Sequence, residues 1–269
     1  MNYNPPRSQT HNFDPKSKTP YRMSRSGLEL FVRCPRCFYL DKRLGISQPP
    51  TPSFTLNKTI DYLLKKEFDV HRAKNTIHPL LKHYGLKVKP VNHDKLNDWR
   101  DTFKGVSFLH KPTNIELYGA IDDLWIDDKG NYIVVDYKAT SKDGKINLES
   151  VWQQSYYRQL EIYQWLLRQN NLKVSDTGYL VYCNARRDRV AFDGKLEFSV
   201  ELVPHHGDDS WVEKTLIESY KCLKSNEIPK PAEDCDYCKY RQAAQKFEVA
   251  GSNKKNDKIG TEFKNGKLF

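Results

Sequence analysis

Two strand-like runs that flank a turn sequence constrain the fold of this chain more than any other feature. The runs are residues 115–126 (IELYGAIDDLWI) and residues 131–139 (NYIVVDYKA), and the four residues between them are DDKG. Asp and Gly are typical of hairpin turns. If the hairpin is symmetric about Lys129, Asp122 lies directly opposite Asp136, because the two are equally far from the centre.

The side chains of Asp122 and Asp136 would then share one face of the hairpin with Lys138. Like charges across a ladder repel unless a hard cation accepts their oxygens. The apolar run IVV before Asp136 indicates a buried strand, and a buried acid needs a partner. The alternative is a surface hairpin whose acids keep an edge strand soluble, which is our interpretation of Asp127 and Asp128.

Two acids and an ammonium group at one place can perform phosphodiester hydrolysis. A divalent cation held by the acids polarises the phosphate and activates a water molecule. The lysine can orient that water or stabilise the developing negative charge. The hairpin therefore predicts a metal-dependent hydrolytic site at Asp122, Asp136 and Lys138.

The remaining apolar patterns predict helices and strands around this hairpin. Helices are predicted over residues 26–40 (broken by a proline), 56–68, 152–169 and 211–223, and strands over residues 177–183 and 195–203. The order of helix, hairpin, helix, strands and helix favours an α/β fold, with a mixed central sheet flanked by helices.

Length and composition constrain the number of domains and the extent of the polar tails. The 269 residues allow one large domain, but 38% hydrophobic residues is low for a compact protein, so part of the length is expected to be polar tail. We expect a disordered basic arm over residues 1–25, a single domain over residues 26–248 and a disordered tail over residues 249–269. No apolar run resembles a membrane span or a signal peptide, which predicts a cytoplasmic protein with no membrane partner.

The net charge of +10 is concentrated near the N-terminus, where residues 1–50 hold nine Lys and Arg against three Asp and Glu. Such a surface attracts polyanions, although a flexible arm can also carry charge for solubility alone. Charge does not distinguish DNA from RNA.

Four of the six cysteines form two CxxC pairs, Cys34 with Cys37 and Cys235 with Cys238. Together they supply four thiolates, enough to close one tetrahedral metal site that joins the two ends of the folded region. Zinc and a [4Fe-4S] cluster both accept four thiolates. Cys183 and Cys222 are interpreted as small core residues.

Three motifs in order resemble a known family. They are G-x-I-D (Gly119 to Asp122), V-V-D-Y-K-A with Asp136 and Lys138, and Q-x-x-x-Y with Gln159 and Tyr163. This set resembles the RecB-like branch of the PD-(D/E)xK nucleases, which includes CRISPR-associated exonucleases and the nuclease domain of bacterial recombination helicases. The resemblance covers about residues 26–241.

The resemblance implies a restriction-endonuclease-like core and a Mg²⁺ or Mn²⁺ ion bound by Asp122, Asp136 and the main-chain carbonyl of Tyr137. Lys138 would be the catalytic lysine. Gln159 and Tyr163 would bracket the DNA backbone or the active site from one helix face, although Tyr163 also fits an apolar helical stripe as a core residue. An overlapping match, Gln153 with Tyr157, lies at the start of the helix and is the weaker candidate.

The sequence differs from the family pattern at one further metal-binding position. Members often supply a His or Glu from an earlier helix, and here Asp61 stands where the His would fall, with Glu67 as a possible substitute. His71 and His78 are interpreted as surface or linker residues. The cysteines also differ from the family pattern. Iron-sulfur members take one cluster ligand from the N-terminal side and three from the C-terminal side. Here each side has two cysteines, and Ala243 and Ala244 lie near the position expected for the last cysteine.

These features favour a metal-dependent DNA nuclease, with an exonuclease acting on ends or single strands as the specific expectation. The alternative is a non-catalytic nucleic-acid-binding or assembly module that keeps the nuclease fold, and a third possibility is a subunit that acts only with a helicase or another nuclease-complex subunit. The sequence contains no GxxxxGK[ST] motif, so any unwinding would come from such a partner.

Overall fold

The computed structural model describes residues 11–50, 54–143 and 151–248, without the side chains of residues 151–153. The predicted tail over residues 249–269 and the first ten residues of the predicted arm lie outside this part. The helices are α1 (Arg25–Arg33), α2 (Pro35–Leu44), α3 (Thr55–Ala73), α4 (Pro79–His83), α5 (Leu96–Arg100), α6 (Val151–Gln169) and α7 (Ser210–Lys224). The strands are β1 (Tyr21–Ser24), β2 (Val88–Pro90), β3 (Val106–His110), β4 (Ile115–Gly119), β5 (Asp123–Asp127), β6 (Tyr132–Thr140), β7 (Thr177–Ala185) and β8 (Phe198–His206).

The chain divides into two compact units. In the described part, the larger unit comprises residues 14–29 and 50–221, and the smaller unit comprises residues 11–13, 30–49 and 222–248. The larger unit holds both sheets. The smaller unit contains α2 and a helical stretch over residues 236–248.

The larger unit has a five-stranded sheet and a three-stranded sheet. The five-stranded sheet has the order β2-β5-β6-β7-β8, in which β6 and β7 are parallel and the other neighbours are antiparallel. The three-stranded sheet has the order β1-β4-β3, with β1 parallel to β4. The predicted class is confirmed: this is a mixed α/β fold with mixed sheets flanked by helices, consistent with a restriction-endonuclease-like core.

Helices α3 and α6 cover opposite faces of the five-stranded sheet. Leu64 and Phe68 of α3 pack with Val135 and Tyr137 of β6 in one apolar core. Because side chains alternate along a strand, Asp136 and Lys138 point to the other face, where α6 lies. The buried strand β6 therefore carries apolar residues towards α3 and ionisable residues towards α6.

The hairpin has the register that its sequence predicts. Asp123 pairs with Val135 and Leu124 with Val134, so the next step along the ladder brings position 122 to position 136. Asp122 itself immediately precedes β5. Asp127 accepts from the amides of Lys129 and Asn131 at 2.9 and 2.8 Å, so it stabilises the turn.

Two expectations about the strands are wrong. Residues 115–126 are not one strand but two, because the chain leaves β4 after Gly119 and the amide of Ile121 donates to the carbonyl of Trp99 at 3.0 Å before β5 begins in the other sheet. Residues 21–24, assigned to a disordered arm, form β1 instead, because their backbone pairs with β4. Local polarity did not reveal either long-range pairing.

None of the helices in the described residues is both long enough and apolar enough to cross a membrane.

Candidate active site and candidate metal centre

Asp136 lies at the centre of a group of ionisable residues on β6. Its side chain is 1% exposed. Its Oδ1 accepts from Nε2 of Gln159 at 2.6 Å. Its Oδ2 forms an ion pair with Lys138 but accepts no hydrogen bond of good geometry. This buried oxygen therefore has one charged partner, and as a carboxylate oxygen it can accept a second, such as a cation.

Asp122 approaches the same place from the start of β5. Its Oδ2 accepts from the amide of Tyr137 at 2.9 Å, and its Oδ1 accepts from Nζ of Lys65 at 3.2 Å. Nε of Arg100 donates to the main-chain carbonyl of Asp122 at 3.0 Å. These contacts fix both the backbone and the side chain of Asp122.

The two carboxylates differ in proton affinity. Burial is the largest effect and raises the pKa of Asp136 to about 7; the attraction of Lys138 opposes this rise, and the repulsion from Asp122 adds to it. Burial also acts on Asp122, but the charges of Lys65 and Lys138 hold its pKa below the ordinary value. Burial acts to lower the pKa of Lys138, yet the two carboxylates raise it overall, so this lysine is positively charged.

Helix α6 supplies the residues of the predicted Q-x-x-x-Y motif. Nζ of Lys138 donates to Oε1 of Gln159 at 3.2 Å, and Nε2 of Gln159 also donates to the hydroxyl of Tyr163 at 3.2 Å. The Lys138 ammonium lies 4.7 Å from the ring centre of Tyr156. In contrast, Tyr157 stacks on His205 with 4.1 Å between ring centres. The side chain of Gln153 lies outside the described residues.

Gly119 explains why the G-x-I-D motif begins with glycine. A Cβ atom there would lie 2.6 Å from Cε1 of Tyr163 and 3.1 Å from Cβ of Arg25. Both distances are shorter than normal carbon contacts, so any other residue would push Tyr163 away from Gln159. The glycine thus allows α6 to lie close to the end of β4.

Comparison with known proteins identifies the family of the chain. The sequence profile of the PD-(D/E)XK nuclease superfamily matches residues 56–243, which is more than half of the chain. The chain belongs to the PD-(D/E)XK nuclease superfamily. No curated protein matches the sequence. Among solved structures, the crystal structure of SSO0001 is similar, with 19% sequence identity, 77% of each chain covered and a TM-score of 0.38.

Membership of the PD-(D/E)XK superfamily implies a metal-dependent nuclease, and the chemistry of the site fits a divalent cation. Asp122 and Asp136 offer hard carboxylate oxygens, including the buried Oδ2 of Asp136 that has no hydrogen bond. Asp61, Asp122 and Asp136 do not all come within 4.8 Å of one another, since among the described residues only the four CxxC cysteines form such a group. The carboxyl groups of Asp122 and Asp136 are in hydrogen-bonding contact, and Asp61 is linked to Asp122 through Lys65.

Of the two candidates for a further PD-(D/E)XK ligand on α3, the structure brings only Asp61 towards the site. Nζ of Lys65 donates to Oδ2 of Asp61 at 2.8 Å and also contacts Asp122. Glu67 instead bonds to Nε2 of His78 at 2.9 Å on another part of the helix surface. His78 is buried and stacks on Phe68, so its assignment as a surface or linker residue is wrong.

Sequence reasoning missed an ion-pair network on the other side of Asp122. Asp123 is fully buried and pairs with Arg72 and Arg100, while the hydroxyl of Tyr137 donates to its Oδ2 at 2.8 Å. Side chains alternate between the two faces of a strand, so the adjacent Asp122 and Asp123 must point to opposite faces. This pattern indicates that one of the two acids is buried. No local pattern identifies Arg72 or Arg100 as its partners.

Lys65 is the second missed residue, and here a signal existed. Asp61 and Lys65 are four residues apart, so they share one face of the predicted helix. If Asp61 faces the site, Lys65 must also lie near it.

The four CxxC cysteines come together within the smaller unit. Sγ of Cys37 lies 3.6 Å from Sγ of both Cys235 and Cys238, and Sγ of Cys34 lies 3.8 Å from Sγ of Cys238. Burial raises the pKa of Cys37, and raises that of Cys238 to about 11, so both are protonated at neutral pH when no cation is bound. Four cysteines this close could bind one metal ion.

The two remaining cysteines lie elsewhere. Cys183 is buried in the apolar core beside α3, as predicted. Cys222 is partly buried on α7.

Proposed function

We propose that this chain is a metal-dependent deoxyribonuclease that acts as an exonuclease on DNA ends or single strands. One observation carries the proposal: the buried Oδ2 of Asp136 pairs with the charged Lys138 but accepts no hydrogen bond of good geometry. A structural ion pair would be more stable with every oxygen satisfied. A carboxylate left in this state is suited to a ligand that the protein alone does not supply.

Asp122 and Asp136, with the main-chain carbonyl of Tyr137, would hold Mg²⁺ or Mn²⁺. When bound, the cation supplies Lewis-acid polarisation of the scissile phosphate. Lys138 keeps its positive charge beside these acids and stabilises the negative charge that develops on the phosphate. Lys138 can also orient the attacking water.

Gln159 and Tyr163 support these residues from α6. Gln159 links Asp136, Lys138 and Tyr163, so it holds the carboxylate and the lysine in one arrangement. Asp61 is the further acid on α3, and its place beside Lys65 supports a role in the outer part of the site.

DNA is the proposed substrate, and the basic N-terminal part of the chain supports a polyanionic partner. The sequence contains no GxxxxGK[ST] motif, so any unwinding of a duplex would come from another subunit. We therefore include a helicase or another nuclease-complex subunit among the proposed partners.

The CxxC cysteines would hold a structural metal, and their spacing favours zinc. Four sulfurs at about 2.3 Å from one tetrahedral Zn²⁺ ion stand about 3.8 Å from each other. The closest Sγ pairs here are separated by 3.6 to 3.8 Å. In a [4Fe-4S] cluster each thiolate binds a different iron, so the sulfurs stand farther apart.

The test is degradation of end-labelled single- and double-stranded DNA by the purified protein with Mg²⁺ or Mn²⁺. Asp136→Ala and Lys138→Ala are expected to abolish cleavage. Asp128→Ala, at the exposed tip of the same hairpin, is the matched control and should cleave normally. A circular single-stranded DNA distinguishes exonuclease from endonuclease action. It has no end, so an exonuclease leaves it intact and an endonuclease cuts it.

Cleavage that persists in both site variants would contradict the proposed site. Binding of DNA without cleavage in either metal would instead identify a non-catalytic binding or assembly module. That module should lose DNA as the salt concentration rises, because its contacts would be mainly to phosphates.

A further inference from the structure

Lys65 lies between two carboxylates that come from different elements. Its Nζ donates to Oδ2 of Asp61 at 2.8 Å and to Oδ1 of Asp122 at 3.2 Å. Its side chain is 21% exposed, so the ammonium group faces the acids rather than open solvent. In this arrangement a protein cation occupies the space between Asp61 and Asp122.

The position of Lys65 is set by the packing of α3. Leu64 and Phe68, on either side of Lys65 along the helix, are buried in the apolar core of the sheet. Nδ2 of Asn57 donates to the carbonyl of Ala139, at the end of β6, at 3.3 Å. Because the helix is held at both places, Lys65 is directed to the acids and is not a freely moving surface lysine.

The charges of the site show what this lysine does. Asp61, Asp122 and Asp136 supply three negative charges when ionised, and Lys65 and Lys138 supply two positive charges. With all three acids ionised, the net charge of these five groups is −1, so Lys65 offsets part of the negative charge that would attract a divalent cation. With a divalent cation bound, the net charge becomes +1, which attracts the phosphate of DNA.

We propose that Lys65 is a built-in counter-ion of the metal site, competing with the divalent cation for Asp122 and released to a DNA phosphate when the cation binds. This inference rests on the proposed function, since it assumes a metal at Asp122 and Asp136. If Asp122 holds a divalent cation, Lys65 would either give up its bond to Oδ1 of Asp122 or keep it against charge repulsion. Both cases weaken metal binding in the absence of DNA.

A second consequence concerns the substrate. A released ammonium can bind a phosphate oxygen, and the charge of the metal-bound site also favours the phosphate. Metal and DNA would therefore each strengthen the binding of the other, by the same factor in both directions. In the metal-free protein Lys65 contacts the two acids, Asp61 and Asp122, and its effect on metal binding acts through Asp122.

The experiment is a titration of the purified full chain with Mn²⁺ in the absence of DNA, with free Mn²⁺ measured by electron paramagnetic resonance. Lys65→Met removes the charge and keeps the length of the aliphatic chain, and Lys65→Arg keeps the charge. Lys66→Ala is the matched control, because Lys66 is exposed on the same helix and lies over the ring of Tyr62. Asp136→Ala measures Mn²⁺ that binds elsewhere.

We expect Lys65→Met to bind Mn²⁺ about tenfold more tightly than the wild type, because a competing charge a few ångströms away is gone. Lys65→Arg and Lys66→Ala should bind like the wild type. Thermal unfolding of each variant checks that it is folded.

Equal or weaker Mn²⁺ binding by folded Lys65→Met would overturn the counter-ion role and leave Lys65 as a support for the two acids. The proposed function would stand in that case if Asp136→Ala still removed Mn²⁺ binding and the wild type still cleaved DNA. If no protein bound Mn²⁺ in a manner that depended on Asp136, both the counter-ion role and the metal-dependent function would be wrong.

Discussion

Nε2 of Gln159 donates to Oδ1 of Asp136 at 2.6 Å, while the other oxygen of this buried carboxylate, Oδ2, pairs with Lys138. Oδ2 is left without a hydrogen bond. Since Oε1 of the same amide accepts from Lys138, one side chain fixes both a proposed metal ligand and the proposed catalytic lysine. Gln159 therefore orients the site without needing to touch the substrate.

Gln159→Ala should lower the affinity for Mn²⁺ or the rate of DNA cleavage by about 10- to 100-fold, the usual effect of losing a group that orients a metal ligand. Gln164→Ala is the matched control. It removes an amide from the same helix that donates to the carbonyls of Ser175 and Asp176. Mn²⁺ binding and single-turnover cleavage measure the effect, and equal losses in both variants would mean that Gln159 only stabilises α6.

The local geometry around these residues follows from the sequence. Turn residues and two flanking strands determine the register of β5 and β6, which brings positions 122 and 136 together. Helical spacing likewise puts Gln159 and Tyr163 on one face of α6, where a hydrogen bond joins them. Such features depend on neighbours only a few residues away.

The features that the sequence did not predict depend on contacts between residues far apart in the chain. The backbone of β1 pairs with residues more than 90 positions away, and a short polar strand gives no sign of this. Arg100 contacts Asp123 from another element, and only packing in three dimensions selects it among the chain's 44 lysines and arginines. Sequence periodicity reports which face is buried, but it does not report what lies opposite.

The raised pKa of Asp136 predicts how the stability of the metal-free protein depends on pH. Between about pH 4 and 7 the folded protein holds a proton on Asp136, whereas the unfolded chain has lost it. The free energy of unfolding contributed by this group therefore falls as the pH rises through this range. Each unit of pKa shift corresponds to about 1.4 kcal/mol, so the effect is large enough to measure.

Asp136→Asn cannot titrate and should lose this pH dependence. Its stability relative to the wild type should increase from pH 5 to pH 8 in the presence of a chelator that removes divalent cations. Urea unfolding at several pH values gives the comparison, with Asp128→Asn as the exposed control. A constant difference between Asp136→Asn and the wild type would show that Asp136 is already ionised at pH 5.

Asp123→Ala should destabilise the larger unit by about 3 kcal/mol, because it removes the buried partner of Arg72 and Arg100. The two arginines would then keep the more exposed Asp69 as a charged partner. Exposed Asp128 lies on the same hairpin, and Asp128→Ala should change stability by no more than about 0.5 kcal/mol. Urea unfolding measures both variants. A loss below about 1 kcal/mol for Asp123→Ala would mean that solvent reaches the two arginines and replaces the carboxylate.

The spacing of the CxxC sulfurs predicts one zinc ion per chain. Metal analysis of the purified protein should find zinc near one equivalent, without iron and without the broad visible absorbance of an iron-sulfur cluster. Cys37→Ala should lower the zinc content to near zero, since Sγ of Cys37 lies 3.6 Å from two other cysteine sulfurs. Cys183→Ala, in the core of the larger unit, should keep its zinc. About four iron atoms per chain in anaerobically purified protein would contradict zinc, and the four sulfurs would then have to stand farther apart than they do here.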